Sequence, residues 1–427
     1  MSTFAGLVFF GAVLWYVVLI FRMETSLKRF FWPAIAAKVA AGIGLGAIYT
    51  FHYRVGDTLL FFADGLRLSE FAETDSSSYL YFLFTSDFLK DLRVELTFSG
   101  DERALLMVKI VSLLNLVSFN NYWLVTTYVT LLSFLGSWYL VRQIHAAFPN
   151  ATASAIVAFL FFPSIVFWTS GLIKETLAMG SLYFICGIFL RIWLSKKVSI
   201  ASWITTLLAI YLLWSLKYYF AGIFLSVIIA SLTYRLLSAR IPALTIGWQR
   251  YVSWLTFFLL LILVVTFLHP NFNAHKLLQV MVNNYEVFHQ VSRPEAVIVF
   301  ENLQPTLASI ISHSPEALFA GLFRPLFFDA TNALAVLLSA ENFVLLFLTL
   351  VAVRYAAAIH RSGVAILFVA IIVYVILLAV FITLSTPNFG TLARYRVGYL
   401  PFFVFLILLA PPVASRLQNA FRKLAQT

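Results

Sequence analysis

Long apolar runs broken by short polar stretches dominate the chain. A helix needs about 20 apolar residues to cross the hydrocarbon core of a bilayer. Runs near that length fall at 4–21, 31–51, 122–141, 152–168, 172–192, 199–215, 217–234, 251–268, 333–353, 363–384 and 398–414. The pattern predicts an all-α polytopic membrane protein of about eleven transmembrane helices in a single membrane domain, residues 1–427. Two of the runs, 152–168 and 199–215, are short for a span. A further apolar run at 104–118 is shorter still and carries Lys109; it is either a twelfth span or a helix lying in the interface of the first large outer loop, and the charge pattern favours the second.

Charge orients these spans. Lys and Arg collect in cytoplasmic loops, and the clear basic loops are Arg22/Lys28/Arg29, Arg191/Lys196/Lys197, Arg235/Arg240/Arg250, Arg354/Arg361 and Arg416/Arg422/Lys423. They fall on one side only if 104–118 does not cross. Arg142 then joins them, and Lys38 is counted there as well. That side carries over half of the 29 basic residues and a single acid, Glu24. The N-terminus is therefore expected outside and the C-terminus inside. No basic residue precedes the first apolar run, which agrees with an outer N-terminus and speaks against a cleaved signal peptide. The long loops, about 52–121 and 269–332, and the short 385–397 all fall outside, where function is expected.

Composition narrows the classes. Of the 427 residues 62% are hydrophobic and 11% charged, against about 25% charged in soluble domains. Mean hydropathy is +0.94. A soluble enzyme, a nucleic-acid-binding protein and a disordered chain are excluded. The net charge of +11 reads as basic cytoplasmic loops. One cysteine, Cys186, leaves no internal disulfide and no Cys-based metal site. No internal repeat is visible, which disfavours a secondary transporter.

Three stretches carry candidate chemistry. Asp57 and Asp64, seven apart, would share one face of a helix at the membrane surface. They could hold a divalent cation, or one could act as general base; alternatively they are cap and turn aspartates. Asp75-Ser76-Ser77-Ser78 reads as a loop tip, and most acids between His52 and Arg103 as a solvated face. Lys174 and Glu175 follow a Ser170-Gly171 turn at the mouth of an apolar helix. They either hold a phosphate or sit there for snorkelling and the helix dipole. Arg394 and Arg396 lie just outside the last span. They suggest capture of an anion such as phosphate, or pairing with the acidic first loop. Arg324 before a span and Glu341 within it are further substrate-binding candidates, since an intramembrane carboxylate is a functional candidate. Lys217-Tyr218-Tyr219 is an outer turn whose lysine could reach an anionic head group. The seven histidines show no ligand spacing. Gly42-x-x-x-Gly46 and Ala37-x-x-x-Ala41 are helix-packing patterns.

This constellation resembles polytopic envelope enzymes that use lipid-linked sugars. Asp57, Asp64 and the 104–118 helix look like the first outer loop of GT-C-type glycosyltransferases. The Ser170-Gly171…Lys174-Glu175 turn and Arg394-Tyr395-Arg396…Pro401 are similar to stretches of the EpsG/O-antigen-polymerase-like group. The resemblance implies a GT-C-like fold in a bacterial inner membrane and a glycosyltransferase or polysaccharide polymerase. It would act at the periplasmic face on a donor sugar carried by a polyprenyl phosphate, with a glycan as acceptor and membrane lipids as partners. Arg394, Arg396 and Lys174 would neutralise the leaving phosphate, and Asp57 or Asp64 would deprotonate or hold the acceptor. No cofactor is required beyond an optional divalent cation on Asp57 and Asp64. A flippase for lipid-linked saccharides and a non-catalytic envelope scaffold are the rival readings. The sugar, the acceptor, transfer versus polymerisation and the oligomeric state stay open.

Overall fold

A computed structural model describes residues 2–24, 26–85, 95–268, 273–355 and 365–426. Among the described residues the secondary structure is helical, with no strand beyond an isolated bridge between Val297 and Asn388. The helices are α1 (Ser2–Met23), α2 (Lys28–Ala47), α3 (Asp57–Thr74), α4 (Ser76–Phe84), α5 (Glu102–Asn115), α6 (Tyr122–Ala147), α7 (Thr152–Ile156), α8 (Pro163–Trp168) and α9 (Lys174–Trp193). They continue as α10 (Ile200–Ser238), α11 (Gln249–Leu268), α12 (Ala274–Val291), α13 (Leu307–Phe323), α14 (Ala333–Arg354), α15 (Ala365–Ser385), α16 (Phe389–Tyr395), α17 (Leu400–Leu408) and α18 (Pro411–Gln426).

The protein is a multi-pass membrane protein by the length and composition of its helices. Among the described residues seven are long and apolar enough to cross, or eight if the bent pair Phe389–Gly398 and Leu400–Leu408 is one span. Eleven were expected, and the difference lies in the runs that follow. The runs 199–215 and 217–234 together make up the 39 residues of α10, which is broken at the non-helical Lys217 (φ −145°, ψ 68°), where the two runs were expected to part. The run 152–168 is cut by Phe162, whose extended backbone separates a π-helical turn from α8. The run 251–268 forms α11 over its whole length, 20 residues from Gln249 to Leu268. The run 398–414 stops at Leu408, and α18 beyond it is amphipathic, with Arg416, Arg422 and Lys423 exposed.

The chain forms two compact units. The first comprises residues 1–143, 165–188 and 198–218. Here α3 begins after Gly56, whose φ of 144° admits only glycine comfortably. Asp57 sits in its first turn, where a carboxylate favours the helix dipole. Phe61, Asp64, Gly65, Leu68 and Ala72 turn one buried face toward α5. The approach is close: a Cβ on Gly65 would stand 2.5 Å from Val111 Cγ1. The 14 residues of α5 span about 21 Å, too little to cross. Deeper in this unit α6 and α9 touch backbone to backbone, and a Cβ on Gly136 would lie 2.0 Å from the Gly180 carbonyl oxygen. In α2, Gly42 faces Thr130 and Gly171, and Gly46 faces Tyr122 and Trp123, in keeping with a packing role for this small-residue pair.

The second unit comprises residues 144–164, 189–197 and 219–427. It is built around α13 and α15, with α17 against α14 and α15. Tyr399 Oη donates to the Gly321 carbonyl at 2.7 Å, and Tyr374 Oη to the Gly398 carbonyl at 2.7 Å. The expected outer loop 385–397 is largely helical: Asn388 caps α16 by accepting from Gly390 N and Thr391 N. Ile298 N donates to the Pro387 carbonyl, which ties this segment to the chain before α13.

Because α5 does not cross, the chain on either side of it lies on one face of the membrane. In a Cys186→Ala background, Ser99→Cys and Asn120→Cys should both react with a membrane-impermeant thiol reagent added to the same side. Labelling from opposite sides would show that α5 spans.

Candidate functional site

In the first unit three helix starts carry the candidate charges. Asp101 caps α5, its Oδ1 accepting from Arg103 N at 3.0 Å and Ala104 N at 3.3 Å. Its Oδ2 meets Lys174 Nζ, at the start of α9, at 3.4 Å. Asp57, half-buried at the start of α3, lies within electrostatic reach of Lys174. The next residue, Glu175, is fully buried and pairs with Lys217 Nζ at 2.6 Å. Lys217 is itself buried and occupies the non-helical break in α10. Arg103 stands over the Tyr218 ring. Lys174 and Asp101 remain accessible, with side chains 15% and 39% exposed, above the sealed Glu175–Lys217 pair.

The Asp101 carboxyl is an anion at neutral pH. Burial pushes it up, but the Lys174 ammonium, the Arg103 guanidinium and two backbone N–H groups outweigh burial and hold it below the usual carboxylate range. Asp75 is held at about 2 by the hydroxyls and N–H groups of Ser77 and Ser78, as the cap of α4.

Asp64 lies on the same helix as Asp57, yet its setting differs. It is fully buried and accepts from Thr97 Oγ1 at 3.0 Å, Phe98 N at 3.1 Å and Arg67 Nη1 at 3.2 Å. These bonds tie the chain before α5 to α3, which is a structural role. Among the described residues no group of three His, Cys, Asp or Glu is placed to hold a metal.

Lys38, counted with the basic side from its place near the start of the second span, turns inward. It is buried in α2 and donates to Ser133 Oγ at 3.0 Å and to the Thr169 carbonyl and Oγ1, both at 2.8 Å. Gly171, at φ 82°, donates its N–H to Thr130 Oγ1 at 2.9 Å. These bonds fix the 169–173 turn from which α9 starts, and hence the position of Lys174.

In the second unit Arg396 is fully buried. Its Nη1 donates to Asn342 Oδ1 at 2.7 Å and its Nη2 to Glu341 Oε1 at 3.1 Å. Glu341 also accepts from Ser164 Oγ at 2.5 Å and Ser164 N at 3.1 Å, and Asn342 Nδ2 donates to the Pro325 carbonyl at 2.9 Å. Arg396 and Glu341 thus form an internal network rather than an open anion clamp. Arg324 is engaged by Asp329 through two bonds, at 3.0 and 2.6 Å, and lies over the Phe389 ring. Burial raises Asp329, but Arg324 and Leu326 N outweigh burial and hold its carboxyl low. Arg394, two residues before Arg396, is half-buried and lies over the Tyr395 ring.

Sequence reasoning found Lys174 and Glu175 but set Asp101 aside as a solvated acid and left Lys217 a weak candidate. The local sign for Asp101 was its place directly before the apolar run of α5. Comparison with family models, curated proteins and solved structures finds no match to this chain.

Two expectations follow. Glu175→Gln leaves Lys217 buried without its counter-charge and should lower stability by about 3–5 kcal/mol. Glu175→Leu combined with Lys217→Leu should recover most of that loss, and thermal melts in detergent decide; equal losses in both would refute the pairing. Asp101 stabilises through its ionised form. That contribution is complete above the ordinary aspartate value of about 3.9 and fades as pH falls through the lowered folded value. The melting difference between wild type and Asp101→Asn should be small, about 1 kcal/mol or less for so exposed a pair. It should hold steady from neutral pH to about pH 5 and shrink only in stronger acid. A difference already gone at about pH 5 would contradict the depressed value.

Proposed function

We propose that the protein is a membrane glycosyltransferase or polysaccharide polymerase using a polyprenyl-phosphate-linked sugar at the outer face. A bacterial inner membrane, with the N-terminus outside and the C-terminus in the cytoplasm, is the setting of this reading. The observation that carries it is the double character of α9. Its first residue is the accessible Lys174, facing Asp101. From Leu177 to Phe184 the same helix lines a largely apolar cavity of about 350 Å³, together with Ile20, Leu132, Trp138, Leu208 and one charged residue, Arg142. A lipid phosphate needs a cation at the membrane edge and an apolar bed beside it, and α9 offers both.

In the proposed transfer the bond between the anomeric carbon and the phosphate oxygen breaks as the acceptor hydroxyl oxygen bonds to that carbon. The electron pair of the broken bond leaves on the phosphate, whose charge Lys174 stabilises. The acceptor proton passes to Asp57. Asp101 is a poor proton acceptor with its depressed value, and serves instead to orient Lys174 and the acceptor. Asp64, engaged in its own bonds, is not assigned the base role. Arg394 is proposed as a separate anion contact within the second unit. No step requires a metal.

A second reading, a flippase for lipid-linked saccharides, draws on the charges inside apolar helices, namely Lys38, Glu175, Lys217, Glu341 and Arg396. These groups hydrogen-bond or pair with one another inside each unit, which favours surface chemistry over a polar path.

The test uses the full chain in lipid nanodiscs, lipid-linked saccharides extracted from the native host, and mass spectrometry of the glycan. Wild type should add sugar or whole repeat units. Lys174→Met and Asp57→Asn should lower the rate roughly 100-fold or more, with melting temperature retained. Vectorial movement of labelled lipid without change in glycan mass would replace transferase with flippase.

A further inference from the structure

A polar cavity of about 230 Å³ lies in the first unit, lined by Ser69, Glu70 and Glu73 of α3 and by Asn115, Phe119 and Asn120 at the end of α5 and the turn beyond it. It shares no residue with the Asp57–Asp101–Lys174 cluster. Asn115 is 1% exposed, and neither its Oδ1 nor its Nδ2 has a hydrogen-bond partner. A buried amide left unsatisfied costs about 1–3 kcal/mol, so this wall of the cavity is built to bond something that enters it. Glu70 and Glu73 are exposed, and among the described residues neither has a basic partner. Ser69 already donates to the Leu66 carbonyl, so its oxygen is left to accept. Phe119 is 41% exposed, with one edge of its ring against Gly6.

These groups select among ligands. The amide needs a partner that both donates and accepts. The two carboxylates accept only, and they repel anions. The phenyl ring needs an apolar face. A metal ion would use the carboxylates and Asn115 Oδ1 but leave Nδ2 and the ring idle. An ammonium group would leave the same two unused. A pyranose meets all of them, since its hydroxyls donate to carboxylates and bond both halves of an amide, while its C–H face lies on an aromatic ring. The volume is below the roughly 300–1,000 Å³ of drug-sized sites and suits one sugar unit. We propose that this cavity binds a neutral, hydroxyl-rich monosaccharide unit of a glycan, and that it excludes uronates and sugar phosphates. The inference stands on the cavity alone, and holds whether the Lys174 cluster performs transfer or not.

The test is saturation-transfer NMR on the full chain in nanodiscs, with glucose, galactose, N-acetylglucosamine, glucuronic acid and glucose 1-phosphate as probes. At least one neutral sugar should bind, and the two anionic ones should not. Glu70→Gln with Glu73→Gln changes only exposed side chains, so the fold should persist by thermal melt while affinity falls about tenfold or more. Asn115→Ala should weaken the same sugar. Absence of binding by any neutral sugar up to its solubility overturns the proposal. So does binding that the variants leave unchanged, or a site that takes Mn²⁺ and no sugar.

Discussion

Charge taken out of water is costly unless it is matched, and this requirement organises the interior of both units. Lys38 lies within an apolar helix and spends all three of its donors on Ser133 and Thr169. Glu175 has Lys217, and Arg396 has Glu341 and Asn342. Each match joins segments far apart in the chain: Lys38 and Thr169 are 131 residues apart, and Arg396 and Glu341 are 55 apart. A buried pair of this kind contributes little net free energy, yet it penalises any packing that separates its members. The helices in each unit are held in register by what would otherwise be stranded.

The accessible charges take their positions from the buried ones. Lys38 and Thr130 hold the turn through Thr169 and Gly171, and that turn sets the start of α9. Glu175 faces inward to Lys217, so its neighbour Lys174 is left near the surface with Asp101. Adjacent residues on one helix thus divide the tasks, one anchoring the helix end and the other remaining available.

Much of the fold could be read from apolar periodicity, because membrane helices state their length directly. The run 104–118 stood out as short for a span, and the seven-residue spacing of Asp57 and Asp64 is compatible with the one helix, α3, that holds both. The break at Lys217 was legible too, because the apolar runs 199–215 and 217–234 part there. Its partner was not: Lys217 meets Glu175 in space, and no local signal marks that meeting. The candidate site follows the same division. Lys174 and Glu175 stood out because charge is rare at the mouth of an apolar helix. Asp101 did not, since ten acids share its loop and its partner lies 73 residues away. Asp64 and Arg396 looked as exposed as Asp57 and Arg394, because sequence shows residue type but not the direction in which a side chain turns.

The crossing of α6 and α9 at Gly136 and Gly180 gives the first unit an unusual genetic vulnerability. Neither position has room for a methyl group, and one nucleotide change turns a glycine codon into an alanine codon. Gly180 is six residues along α9 from Lys174, about 9 Å at the helical rise. A lesion at this crossing alters no charged or polar group, yet it wedges apart the helix that carries the lysine. The unit can therefore be disabled by a heritable change that lies wholly within its apolar interior.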